Sequence, residues 1–198
     1  MKPNIVVKIF PDYTDPINPR EDCDNYGIMA CSHGRYLLGD EEAKIKSTDF
    51  KSWDEVEAYL IRDMGAVVIL PLWLYDHGGI TISTQPFYGR AQHAQWDSMR
   101  VGFIYATRES IERMQGHGWK RLTKVRLAKV EDNLRVEVGI YDQYLTGDIY
   151  GYSVAVDGEV IDSCYGFFSE ECVKEEAIAS AKRCVERILE EELEVTYP

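Results

Sequence analysis

The 198 residues contain no run approaching the roughly eighteen consecutive apolar residues that a membrane-spanning helix requires. The chain opens MKPNIVVKIF with no long apolar leader, so a cytoplasmic protein is expected. Its five cysteines, Cys23, Cys31, Cys164, Cys172 and Cys184, form an odd set without a CxxC pair, which argues against a disulfide scaffold and for reduced thiols. Neither GxxxxGK[ST] nor a strand-GxGxxG-helix unit is present to cradle a phosphate. The nucleophile elbow GxSxG is missing too, because GYSVA at 151–155 lacks its last glycine and continues as a strand. Basic residues are scarce: 22 Lys and Arg face 34 Asp and Glu, a formal charge of −12. Most of such a surface repels nucleic-acid phosphates and anionic lipid, so direct nucleic-acid binding is not expected and a basic partner suits it better. One segment departs from this balance, with Lys120, Arg121, Lys124, Arg126 and Lys129 unaccompanied by any acid. It reads as a solvated helix face that can also hold a phosphate.

A hydrophobic content of 45% is enough for one proper core, and a single globular domain is expected over 1–198. NIVVKIF (4–10) has the β-branched content of a strand, and GIMACS (27–32) reads as a second. Between them, about 11–26 carries two prolines after Pro11 and many acids and reads as an irregular acidic surface loop. HGRYLLGDEE after the second strand reads as another loop. Ser52-Trp53-Asp54-Glu55 is a capping box opening a helix to about Met64, with Val56, Tyr59, Leu60 and Met64 on its apolar face. AVVILPLWL (66–74), ITIST (80–84) and VGFIYAT (101–107) read as strands, followed by a short helix from about Arg108 to Gln115. Leu127, Val130, Leu134, Val138, Tyr141 and Leu145 recur at spacings of three and four and predict a long helix over about 123–145. Asp157-Gly158 between two strand-like runs predicts a tight hairpin. A last helix, about 170–193, should bury Val173, Ala177, Ile178, Ala181, Cys184, Val185, Ile188 and Leu189 and end in acid. Strands and helices without strict βαβ alternation predict an α+β fold, a mostly antiparallel sheet packed on one face by two long amphipathic helices.

Polar and aromatic residues gather with glycine at the boundaries of these elements, where loops on a rigid scaffold present functional groups. The series DNYGIMACSHGRYLLGDE (24–41), LPLWLYDHGGITIST (70–84), WDSMRVGFIY (96–105), YDQYLTGDIYGY (141–152) and DSCYGFF (162–168) resembles a family of uncharacterised proteins encoded by bacteriophages and prophages. The resemblance runs from about residue 15 to residue 170. It implies a phage accessory setting, hence host cytoplasm, and carries over no catalytic residue. This chain departs from the family in Gly78, where members have serine, in Met99-Arg100, where they have Gly-Gln, and in a longer link from Phe87 to Trp96.

The candidate ligand-binding residues are Tyr75, Asp76 and His77, Trp96 and Asp97, and Tyr141, Asp142 and Tyr144. Tyr and Trp join flat apolar faces to polar tips, which suits an interface anchor or a stacking pocket. Asp76, His77, His93, Asp97, Cys31 and His33 are of metal-ligand type but lack a diagnostic spacing such as HExxH, so neither metal nor cofactor is assigned. Isolated aspartates are usually caps and turns, and Asp76-His77-Gly78-Gly79 is first of all a four-residue link between strands. The reading is of a protein that binds, inhibits or sequesters a host defence or nucleic-acid-handling component with a basic surface. In that version the acids at 12–24, 40–42 and 186–194 face the partner. The alternatives are a nucleotide-like small ligand at the same cluster, its phosphate held by 120–129, and a metal-assisted hydrolase or phosphoesterase using Asp76 and His77.

Overall fold

The computed structural model describes residues 3–14, 16–119 and 121–194, apart from the side chains of Ser47, His117 and 189–194. Lys120 and the side chain of Leu189 lie outside the described residues. The fold is α+β with antiparallel pairing throughout, but the strands divide between two sheets in place of one, and each sheet has its own long helix. Two compact units result, one of residues up to Ile17 together with those from Gly147 on, the other spanning Asn18–Thr146.

In the first unit, β1 (Ile5–Pro11), β6 (Ile149–Val156) and β7 (Glu159–Phe168) form a sheet in the order β1-β6-β7. The predicted hairpin joins β6 to β7: Asp157 and Gly158 both take positive φ, +51° and +93°, as the tight turn between twisted strands demands. Helix α5 (Glu170–Glu194) packs Val173, Ala177 and Cys184 onto Tyr152 and Val154. Ile178, predicted inside, is exposed because it falls off this stripe, while Val185 and Ile188 are half-buried. Asp162 accepts from the hydroxyls of Tyr152 and Ser180, and the Ser180 bond above all holds its carboxyl below the usual range. The acid-rich loop is less of a surface excursion than its composition implies. Asp12 is buried, accepting from the amides of Thr14 and Gly166.

The second unit is a four-stranded sheet in the order β2-β5-β3-β4, formed by β2 (Ile28–Cys31), β3 (Ala66–Asp76), β4 (Ile80–Ser83) and β5 (Ser98–Thr107). One face, carrying Met29, Leu70, Leu72, Leu74, Ile82 and Ile104, is covered by α4 (Lys124–Thr146) through Val130, Leu134, Val138 and Tyr141. Full burial of each such side chain stabilises by about 1.5–3 kcal/mol. The other face carries Ala30, Ala66, Phe103 and Tyr105, covered by Val56 and Leu60 of α1 (Trp53–Arg62). Ser52 caps α1 as its sequence predicts, accepting from the Glu55 amide. Tyr59 and Met64 stay largely exposed and contact each other instead. Helix α3 (Arg108–Gln115) follows β5 with Thr107 and Ser110 in a reciprocal cap.

Two local features shape this unit. β5 carries a bulge, since the partners of Leu72 and Trp73 are Gly102 and Arg100, leaving Val101 unmatched. The extra residue reverses which face the strand presents: Val101 and Ile104 lie on the α4 side, and Phe103 and Tyr105 on the α1 side. A Cβ at Gly102 would lie 2.1 Å from the carbonyl oxygen of Ala30, so glycine is required there by close approach of β2. Elsewhere, Arg20 buries its guanidinium at 2% side-chain exposure. It donates to Asp40 at 2.7 and 3.0 Å, to Glu137 at 3.2 Å and to the carbonyl of Gly27 at 2.7 Å. Glu137 also accepts from the amides of Tyr26 and Gly27, and Asp40 from that of Met29. Much of the sequence series at 24–41 is thus accounted for by a joint between the entry loop, β2 and α4.

Candidate functional site

At the end of β3 the chain reverses through Asp76-His77-Gly78-Gly79, with the His77 amide donating to the Gly79 carbonyl and Gly78 at φ +76°. The link between strands is therefore the first role of this segment. Its side chains then diverge. Asp76 turns towards the loop after β2, accepting from the Tyr36 hydroxyl at 2.9 Å and lying 3.7 Å from Arg35. That bond, more than burial, raises the affinity of Tyr36 for its proton. His33 stacks on Tyr36 with ring centroids 5.0 Å apart and accepts from the amides of Arg35 and Tyr36, so it shapes that loop.

His77 turns the other way. Its Nδ1 lies 2.9 Å from Oδ2 of Asp97, at the end of the short helix α2 (Ala94–Asp97). A carboxylate can only accept, so Nδ1 carries the proton and Nε2 is left as the acceptor of the neutral ring. The loop 84–97 is held down by a row of rings. Tyr75 stacks on His77 at 5.9 Å and on Phe87 at 5.5 Å, its hydroxyl donates to the Gln92 carbonyl, and Tyr88 meets Trp73 edge-on at 6.1 Å. His93, at φ +53° before α2, puts its ring 5.9 Å from that of His77. At this rim Trp96 stands 78% exposed.

The third segment goes elsewhere. Asp142 Oδ1 accepts from the Thr81 hydroxyl at 2.5 Å and the Ile82 amide at 2.7 Å, clamping edge strand β4 to α4. Tyr141 is buried and its hydroxyl accepts from the Gly39 amide, burial pushing its own proton affinity up to about 12. Tyr144 stacks beside it, half-buried, at 6.1 Å. The structure thus brings Tyr75, His77, Trp96 and Asp97 into one rim and gives Asp76, Tyr141 and Asp142 specific bonding partners elsewhere in the unit. Phe87, which the sequence did not single out, stacks on Tyr75, and His93, considered there only as a metal-ligand type, lies against His77; both help to fix the rim.

Lys124, near the start of the basic segment, lies eighteen residues from Asp142 on the same helix, about 27 Å at 1.5 Å per residue. Among the described residues, the basic segment does not reach the Asp142 cluster to supply it with a phosphate site. Arg126 instead stacks over Trp119 and donates to the Arg121 carbonyl. Among the described residues no three His, Cys, Asp or Glu side chains converge as metal ligands do. His77 has an orienting carboxylate but no serine, threonine or cysteine bonded to it among the described residues, which is half of a nucleophilic relay. The neighbouring clefts are small: one of about 230 Å³ beside Tyr88, His93 and Ala94, another of about 240 Å³ beside His33, Tyr36 and Lys44.

Comparison with protein-family models, curated proteins and solved structures finds no match. The functional reading therefore rests on the site itself.

Proposed function

We propose that the chain acts by binding a protein partner through the rim around Trp96, as a phage-type accessory protein that sequesters or inhibits a host component. The observation that carries this reading is Trp96 itself: an indole 78% exposed at the rim held by stacked rings and the His77–Asp97 bond. An exposed indole on a backbone pinned by the neighbouring His77–Asp97 bond offers a large apolar face to a partner, and Trp is among the residues that dominate interface energies. A basic partner suits the net charge of −12 and the exposed Glu21, Asp22, Asp24, Glu41 and Glu42. These five acids sit on loops that the Arg20–Asp40 pair ties together. Asp12 and Asp40 are committed to internal bonds and take no part in that face.

The test is paired affinity capture from bacterial lysate with the wild-type chain and Trp96→Ala as baits, at low and high salt, followed by binding measurements with the purified captured protein. A partner held by wild type at low salt, weakened by salt and bound about 30-fold or more weakly by Trp96→Ala supports the reading, as loss of a central aromatic anchor costs about 2 kcal/mol or more. Equal capture by both baits, with both folded, overturns it.

A further inference from the structure

Among the described residues, three buried side-chain atoms lack a hydrogen-bond partner: Nε1 of Trp73, Oγ of Ser98 and Nε of Arg100. They are neighbours. Trp73 and Arg100 face each other across β3 and β5, and Ser98, two residues earlier on β5, faces Tyr75. The bulge in β5 places Arg100 on the Phe103 side of the sheet, where its guanidinium carbon lies 4.3 Å from the Phe103 ring centroid and 6.0 Å from that of Trp73. Loop 84–97 closes over the same face, with Tyr88 edge-on to Trp73 and Phe87 against Tyr75. Ser98 is only 8% exposed.

The chemistry of the three atoms agrees. An indole N–H and a guanidinium N–H can only donate, and a serine hydroxyl donates freely. Aromatic faces stabilise the guanidinium charge without accepting its N–H bonds in the plane. No carboxylate pairs with Arg100 among the described residues. Buried donors left unpaired are costly and rare, so donors gathered around an unneutralised guanidinium are complementary to an acceptor with negative charge. We propose that Trp73, Ser98 and Arg100 bind a small oxyanion, the phosphate or carboxylate group of a small ligand, between the sheet and loop 84–97. Nε–H and the neighbouring Nη–H of Arg100 supply the two-pronged contact such groups favour, and Trp73 and Ser98 fix the remaining oxygens. The proposal stands independently of protein binding at Trp96.

The experiment follows the indole N–H signals of the ¹⁵N-labelled 198-residue chain, which has four tryptophans, with Trp73 assigned by Trp73→Phe. Sodium phosphate and sodium acetate are titrated separately at ionic strength held constant with sodium chloride. The expected result is a saturable movement of the Trp73 signal by at least one oxyanion, with a midpoint of ~1 mM or lower. Arg100→Gln should abolish it, and Ser98→Ala should weaken it ~10-fold, as loss of a hydrogen bond to a charged group does. Response to phosphate alone assigns the phosphate class, and response to acetate alone the carboxylate class. Absence of saturable movement with both anions, movement that follows chloride, or movement that persists in Arg100→Gln overturns the proposal. Should Arg100→Gln fail to fold, an undiminished response in Ser98→Ala overturns it.

Discussion

Replacing Arg20 by methionine tests whether the joint at 20–41 is as central as its geometry implies. The change keeps a long apolar stem and removes the guanidinium. Asp40 loses two bonds, Glu137 one and the Gly27 carbonyl one, while all of these groups stay where the amides of Met29, Tyr26 and Gly27 hold them. The side chain of Glu137 is 12% exposed and that of Asp40 21%, so water replaces the lost partner poorly. Removing one member of a buried ion pair typically costs ~3–5 kcal/mol because the other charge is left uncompensated. For a chain of this size that corresponds to a fall in Tm of ~6–20 °C. All four tryptophans, at 53, 73, 96 and 119, belong to the unit spanning Asn18–Thr146, so urea unfolding followed by tryptophan fluorescence reads this unit alone. The deficit should also depend on pH. Burial already raises the Glu137 carboxyl above its ordinary value, against the lowering by the amides and Arg20. A raised carboxyl favours the folded state below its unfolded value, a contribution lost as pH rises through the folded value. Without Arg20 the folded value climbs further, so the variant suffers most at neutral pH and recovers part of its deficit as pH falls from 7 towards about 5. A deficit under ~1 kcal/mol, or one equal at both pH values, would refute this account.

Other expectations concern the clamp on β4 and the thiols. Asp142→Ala leaves the Thr81 hydroxyl and the Ile82 amide without their acceptor and should cost ~1–3 kcal/mol, with faster hydrogen exchange at the Ile82 amide, whereas Asp142→Asn, which keeps an oxygen, should retain most of the protection. Native alkylation with iodoacetamide at pH 8 should add three groups by intact mass, at the exposed Cys23, Cys164 and Cys172. Cys31, buried and with its thiol pushed up to about 12, should react only after unfolding, as should the buried Cys184.

Local chemistry in the sequence was a good guide wherever neighbours in the chain decide the outcome. The Ser52 cap, the Asp157-Gly158 hairpin and the stripe through Val130, Leu134, Val138 and Tyr141 all depend on residues a few positions apart. Partition of the strands into two sheets was not legible, because the pairing of β1 with β6 joins residues nearly 150 apart and both strands have ordinary strand composition. Arg20 was hidden for a related reason. A charged residue among prolines and acids reads as surface, and only the remote Glu137 and Asp40 make its burial favourable. At the rim, the Asp-His pair and Trp96-Asp97 were recognisable as residue types. Their partition was not: Asp76 bonds to Tyr36 and His77 to Asp97, a choice made by loops that the sequence leaves undefined.

The bulge in β5 makes this unit sensitive to chain length as well as to residue type. Val101 itself is the spare residue: Gly102 and Arg100 already pair with the consecutive Leu72 and Trp73, so deleting it would restore regular alternation and leave Ser98, Met99 and Arg100 on their present faces. Deleting the matched Arg100 instead would slip Met99 into its place opposite Trp73, beside Phe103, and Ser98 into that of Met99 opposite Leu74. The same one-residue change is thus absorbed at Val101 and exchanges the two faces of the strand one position earlier. Lengthening or shortening the exposed loop 84–97 leaves the strand's own alternation unchanged, so insertions and deletions are far better tolerated on that side of Trp96 than three or four residues beyond it.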